Sequence, residues 1–454
     1  MFAERKGRTL KDRLVGTALL TGIGSALGLS SQALVARLVG VESFGIYSLA
    51  LNIVGLTQVW LALDFGQAIV RFVPGYWRSG DGGRLREIRR LGLQIVTATS
   101  LVAFLMVAIV PTAWLVQFPS TEIVGLCAIL ATLVTLLQLD YLYLVAIGNT
   151  RQAVFLQQVL RPALVIGFVT LGWMLAIPDS YLGLGSAVIA VGIVALLAWR
   201  CVSAAVESKS DESRSSDAGL GSSPRTVWIR FSSTFLVSSA AQGLISSQSD
   251  IVLVGVMVAA RESGVYAAAS HLALLAGLLP NVMNSVLTPP VSAAHDAGSE
   301  DETRVALGRF SIAQMGSALA GFLAVAAIGP IFLIAYGEQY ARSYPIALLL
   351  SAAGGLSSAA GAPASLVLST MGGHRKLAIA NAALAALAVA LSVALIKLGG
   401  SIGAAFGTLA VAIVRSAVLQ FLARRHASGM LNYRLAWRTA LGVIGRIISE
   451  RRGA

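Results

Sequence analysis

The residues able to do chemistry in this 454-residue chain are a few charged side chains set inside long apolar runs. Asp64, Asp140, Arg161, Asp250 and Arg415 lie within such runs, and Arg37 and Arg71 lie near their ends. Ionisable groups in an apolar phase are costly and face protein or water rather than lipid. Two chemistries fit them. In one, the charges pair with each other inside a helix bundle. In the other, the arginines bind an anionic head group in a cavity, and the aspartates pair with them or carry a coupling ion, Na+ or H+. For most of these residues the sequence leaves both open. Arg161 leans to the second, because it lies about 15 Å further along a helix than Arg151 and so beyond easy snorkelling. Asp64, Gln67 and Arg71 follow at i, i+3 and i+7, which places them on one face of a continuous helix.

Other chemistry is missing from the pattern. There is no HExxH, no CxxC, no phosphate-binding loop and no nucleophile elbow. His271 stands alone within an apolar run and reads as structural. Cys127 and Cys201 read as small core residues near opposite membrane faces, too far apart to bridge. Neither an enzyme nor a bound cofactor is expected.

The elements that must position these residues follow from composition. Hydrophobic residues make up 56% of the chain and charged residues 12%, against about 25% charged in a soluble domain. Mean hydropathy is +0.78. Such a chain needs a bilayer, which excludes a disordered or soluble protein. A hydrocarbon core of about 30 Å needs roughly 20 apolar residues per helix. Twelve segments meet that length: 14–36, 45–71, 91–116, 122–147, 155–177, 181–203, 228–256, 264–288, 306–334, 345–370, 377–397 and 402–423. They are too long, and too free of period-2 alternation, for membrane strands. The expected fold is therefore an all-α polytopic membrane protein with twelve transmembrane helices. The basic N-terminus followed by a long apolar run is kept as the first span rather than as a cleaved signal.

The net charge of +13 then becomes a topology signal. With the N-terminus cytoplasmic, 29 of the 34 basic residues, Arg161 counted with them, fall in or next to cytoplasmic segments; Arg37, Arg261, Arg342 and Lys397 fall on the opposite side and Arg415 inside the last span. This asymmetry fits an even number of spans with both termini cytoplasmic. It also removes the argument for a nucleic-acid partner.

A Ser-rich polar stretch around residues 206–227 reads as a flexible cytoplasmic linker. It divides a six-helix lobe (1–205) from a second one (228–423), with a basic tail at 424–454. That tail, with Leu431, Leu435, Leu441, Ile444 and Ile448 on one approximate face, reads as an interfacial helix on anionic lipid. The lobes share a motif in equivalent places: ESFGIY (Glu42 to Tyr47) and ESGVY (Glu262 to Tyr266). Polar stripes at helical spacing precede both: Thr17, Thr21, Ser25, Gly28 and Gln32, then Ser238, Gln242, Ser246 and Ser249 with Asp250 beside them. Equal span counts make this a parallel repeat. The polar faces, with Gln32, Gln242 and Asp250, suggest a cleft between the halves. Gly24-xxx-Gly28 and Gly399-xxx-Gly403-xxx-Gly407 read as helix-packing sites.

The segments LVARLVGVESFGIYSLA (Leu34 to Ala50), LDFGQAIVRF (Leu63 to Phe72), SDIVLVGVMVAARESGVYAAAS (Ser249 to Ser270) and YGEQYARSYPIALLLSAAGG (Tyr336 to Gly355) carry a family likeness. The chain resembles the polysaccharide-biosynthesis (oligosaccharide/O-antigen) flippases of the multidrug/oligosaccharidyl-lipid/polysaccharide exporter superfamily. The resemblance implies two six-helix lobes around a central cavity, and alternating access across the cytoplasmic membrane. It implies a polyprenyl-pyrophosphate-linked oligosaccharide as cargo, for cell-surface polysaccharide such as lipopolysaccharide. Arg161, Arg71, Arg37 and Arg415 are then the pyrophosphate candidates, since guanidinium suits phosphate. Asp64, Asp140, Asp250, Gln32 and Gln242 are the polar or ion-coupling candidates. Membrane lipids and other polysaccharide-assembly proteins are the expected partners. The lipid II flippase branch has fourteen spans rather than twelve. The alternative is a cation-coupled multidrug antiporter of the same superfamily, with Asp64 or Asp250 carrying the ion. A membrane glycan polymerase or ligase is disfavoured, because the outer loops are short. A scaffold without transport of its own is left open.

Overall fold

The computed structural model describes residues 10–109, 121–213, 224–245 and 247–427. The regular structure among them is helical throughout: α1 (Leu10–Leu61), α2 (Gly66–Ser79), α3 (Gly82–Ile109) and α4 (Thr121–Ala146). α5 (Thr150–Met174), α6 (Asp179–Ser213), α7 (Arg225–Ile245) and α8 (Ser247–Met257) follow. α9 (Ala260–Asp296), α10 (Glu300–Tyr336), α11 (Glu338–Thr370) and α12 (His374–His426) complete the order. Helices are what a bilayer demands, because each satisfies its own backbone polar groups. Large apolar side chains left exposed, such as Leu101, Met106, Met174 and Ile331, are suited to contact with lipid.

Nine of these helices are long and apolar enough to cross a membrane. Two of the nine are double. α1 breaks at Gly40 (φ 76°), and α12 breaks at Gly399 and Gly400 (φ 58° at the latter). Positive φ costs glycine nothing, so the chain reverses with no loop between two spans. α7 and α8 together supply the remaining crossing, which gives the twelve expected spans. Gly399 therefore makes a turn rather than a packing contact. Gly403 does pack: a Cβ there would collide with the carbonyl of Leu395. Gly24 packs likewise on the backbone of Gln158, whereas Gly28 has open space beside it.

One further departure from the expected spans has a local cause. The 45–71 segment is interrupted, because Leu63 (φ 47°) and Asp64 (φ 51°) adopt left-handed backbone between α1 and α2. α6 runs on to Ser213, with Lys209 over the Trp77 ring at 5.8 Å, and helix resumes at Arg225. Pro162 follows Arg161 in α5. A π-helical turn at Phe155–Leu160 precedes it and makes room for the ring and the missing N–H. The basic tail expected at 424–454 lies largely outside the described residues.

The chain forms two compact units. The first comprises Met1–Gly243 with Ala259–Gly264, and the second Leu244–Val258 with Val265–Ala454. α7 joins the first unit through aromatic packing. Trp228 is fully buried and donates its indole N–H to the Tyr76 hydroxyl at 3.2 Å. The Phe231 ring meets Phe72 edge-on at 5.4 Å, and Arg225 pairs with Glu87 at 2.8 Å. Trp228→Ala is expected to destabilise the first unit by about 3–5 kcal/mol, the cost of deleting a buried indole. Thermal melting of the purified protein checks this, and an unchanged midpoint would contradict it. In the second unit a core of Val291, Leu307, Phe310, Leu368 and Leu419 packs α9, α10, α11 and α12 together.

Candidate functional site

Within the first unit, the polar stripe of α1 faces α5 across a cavity of about 270 Å³. Thr21, Ser25, Ser31 and Gln32 come from one face of α1, Tyr47 from its arm beyond Gly40, and Gln157, Gln158 and Arg161 from α5. Helical spacing explains the first set. The second set depends on the π turn, which contains Gln157 and Gln158 and ends directly before Arg161. Arg161 lies eleven residues into α5 (150 to 161), about 16 Å along the helix. Among the described residues no carboxylate forms an ion pair with it, and Tyr47 is its electrostatic neighbour. Gln32 Oε1 and Gln158 Oε1 are buried without a hydrogen-bond partner. A buried acceptor left unpaired costs about 1–3 kcal/mol, so this cavity is built for a ligand that brings donors as well as negative charge.

A second cavity of the same unit, about 350 Å³, holds Asp64 with Gln58, Gln67, Thr135 and Gln138. Ser239 donates to Asp64 Oδ2 at 2.6 Å. Asp64 and Gln67 meet here, but Arg71 is exposed and lines neither cavity. The i, i+3, i+7 reading fails because Asp64 precedes the helix in left-handed backbone.

Asp140 is buried and faces Arg89 from α3, whose guanidinium also stacks on Trp199 at 4.3 Å. The structure thus puts Asp140 beside a structural cation rather than in either cavity. Arg37 and Gln242 are exposed. Thr17 and Ser238 have side chains outside the described set, and Ser246 lies outside it altogether.

The second unit has its own polar centre. Asp250 is 4% exposed. It accepts from Ser392 at 2.7 Å on Oδ1, and on Oδ2 from Thr408 at 2.5 Å and Tyr266 at 3.3 Å. Among the described residues, three hydroxyls and no basic side chain surround this carboxylate. Thr408 also borders a cavity of about 250 Å³ shared with Ser270, Asn281, Ser357, Ser358 and Arg415. Arg415 has a buried Nε without a partner and makes no ion pair among the described residues. It lies eleven residues before the end of α12 (415 to 426), a depth equal to that of Arg161 in α5. His271 is held by the Tyr336 hydroxyl at 3.2 Å.

Sequence reasoning missed Tyr47, Tyr266, Ser392, Thr408, Gln138, Gln157, Gln158 and Arg89. One signal was available for the tyrosines, since each stands two residues after the motif glycine in ESFGIY and ESGVY. In each unit the motif tyrosine reaches that unit's polar centre.

A family model described as polysaccharide biosynthesis protein matches residues 14–295. The chain belongs to that family. No curated protein matches it. Among solved structures, it is similar to a multidrug resistance MATE family transporter of the MOP superfamily in an inward-facing conformation. That likeness has a TM-score of 0.70 at 12% identity, over 90% of this chain and 98% of the other. The lipid II flippase MurJ, in an inward closed conformation, gives 0.65 at 15% identity, over 89% and 86%. A MOP superfamily transporter from Pyrococcus furiosus gives 0.60 at 14% identity, over 91% and 96%. At these identities the likeness shows the fold, and the fold is that of these transporters.

Proposed function

We propose that the protein flips a polyprenyl-pyrophosphate-linked oligosaccharide across the cytoplasmic membrane by alternating access, for surface polysaccharide assembly. The observation that carries this reading is Arg161: a deep guanidinium without a carboxylate partner among the described residues, in a cavity whose other polar lining groups are amides and hydroxyls. The guanidinium suits the pyrophosphate, and the amides suit sugar hydroxyls, which donate and accept. The apolar tail stays in the bilayer, so only the head group crosses. No covalent chemistry is required of the protein. Both termini are cytoplasmic in this reading, which rests on the distribution of basic residues.

Asp250 is the group we assign to ion coupling, with Na+ or H+ as the ion. Ser392 and Thr408 bring oxygens to a carboxylate that, among the described residues, no basic side chain neutralises. The test is reconstitution into liposomes holding a fluorescent lipid-linked oligosaccharide, with loss of outer-leaflet signal after glycan-cleaving enzyme as the readout. The wild type should flip the cargo, and no flipping above empty liposomes would overturn the proposal. An imposed Na+ or proton gradient should accelerate the wild type, and Asp250→Asn should lose that acceleration. Equal acceleration in the variant would remove Asp250 from this role.

The multidrug antiporter reading is favoured by the fold likeness to the MATE transporter. Arg161 and Arg415 speak against it, because each would repel a cationic drug from its cavity. Ion-dependent export of such drugs by the same liposomes would reverse the preference.

A further inference from the structure

We infer that the Asp64 cavity is a sugar subsite, holding the first sugar ring of the cargo beside the pyrophosphate at Arg161. This rests on the flippase reading for the identity of the cargo, but its own observations concern only the first unit.

The two cavities of that unit adjoin. Gln157 lines the Arg161 cavity, Gln138 lines the Asp64 cavity, and Gln157 Nε2 donates to Gln138 Oε1 at 2.9 Å. This amide pair is a shared wall. Both residues stand near the short turn joining α4 and α5: Gln138 eight residues before Ala146, and Gln157 seven after Thr150. Arg161 is one turn further along. In a polyprenyl-pyrophosphate glycan the phosphate is bonded directly to the first sugar, so adjoining cavities are what two consecutive groups of one molecule require.

The chemistry of the second cavity suits a neutral ring. At about 350 Å³ it falls at the small end of ligand-sized sites. Gln58, Gln67 and Gln138 each offer donors and an acceptor, as hydroxyls do. Gln138 keeps its amide N–H groups, because its oxygen is the atom engaged by Gln157. Thr135 spends its proton on the Ala131 carbonyl at 2.6 Å and remains an acceptor. The amide N–H groups of the glutamines add donors, which sugar hydroxyls can use and a cation cannot. Asp64 is also held there at a cost. It and Leu63 are consecutive non-glycine residues at positive φ, a conformation costing of order 1–3 kcal/mol each that is typical of ligand-binding positions. Ser239 donates to the carboxylate at 2.6 Å and fixes its orientation.

The experiment is saturation-transfer NMR on the full-length protein in lipid nanodiscs. The probes are neutral hexoses (glucose, galactose, N-acetylglucosamine), with cationic glucosamine as a comparison and inorganic pyrophosphate titrated separately. A neutral hexose should give signal in the wild type, and Asp64→Asn and Gln138→Leu should each reduce it at least tenfold. Pyrophosphate affinity should change less than threefold in the same variants. Gln138→Leu keeps the test open if Asp64→Asn fails to fold. Unchanged hexose signal in folded variants would overturn the subsite, as would signal from glucosamine alone. Failure of flipping in liposomes with Asp64-dependent hexose binding intact would overturn the flippase reading and leave the subsite standing.

Discussion

Arg161→Ala is expected to slow flipping of a lipid-linked oligosaccharide by ten- to a hundredfold and to weaken pyrophosphate binding to the same degree. Each hydrogen bond to a charged group contributes about 1.5–3 kcal/mol, and about 1.4 kcal/mol is a factor of ten. The effect is large because nothing nearby can substitute. Among the described residues no other basic side chain lines this cavity, and Tyr47, Gln32 and Gln158 carry no formal charge. Arg161→Lys should recover part of the rate, since lysine keeps the charge but loses the planar fork that matches phosphate. Arg71→Ala and Arg37→Ala should each cost less than threefold, because both side chains are exposed and outside the cavity. The checks are the liposome assay for rate and isothermal titration with inorganic pyrophosphate for affinity. Wild-type rate and affinity in a folded Arg161→Ala protein would remove the anion from this cavity. The variant should fold well, as it discards an unpaired buried charge rather than breaking an ion pair.

What could be read from the sequence, and what could not, divides along the regularity of the backbone. Twelve apolar spans were legible because bilayer thickness sets their length whatever their packing. The α1 stripe was legible because a helix is regular: Thr21, Ser25 and Gln32 share a face by spacing, and they line one cavity. The breaks in regularity were not legible. No spacing rule announces a π turn, yet it is the turn at Phe155–Leu160 that presents Gln157 and Gln158 beside Arg161. The left-handed pair Leu63–Asp64 looks from sequence like the middle of a helix, so Asp64 was grouped with Arg71, from which the break separates it. Long-range partners were equally hidden. Asp140 faces Arg89, and Asp250 is held by Ser392 and Thr408, more than 140 residues on.

The glycines of the repeated motif carry the second large effect. Gly45→Val or Gly264→Val is expected to destabilise the first unit by about 2–3 kcal/mol, the upper part of the usual cost of one overpacked side chain. The two glycines pack on one another. A Cβ on Gly45 would overlap the carbonyl of Ala260, and a Cβ on Gly264 would press on the Gly45 backbone and the Val41 carbonyl. Backbone cannot yield as a side-chain tip can, so the helices must separate. Each glycine also stands two residues before a working tyrosine. Separation at Gly45 should displace Tyr47 from Arg161, and separation at Gly264 should loosen the Tyr266 hydrogen bond to Asp250. Gly45→Val should therefore weaken pyrophosphate binding, whereas Gly264→Val should reduce the response to an ion gradient. Because both substitutions open one contact, the double variant should cost less than the sum of the two. Gly125→Ala, in α4 with open space beside it, should be neutral or slightly stabilising. Thermal melting, pyrophosphate titration and gradient-driven flipping measure the three effects. Full additivity of the two valines would show that the glycines do not share a contact. The repeat would then be an echo of sequence without a role in packing.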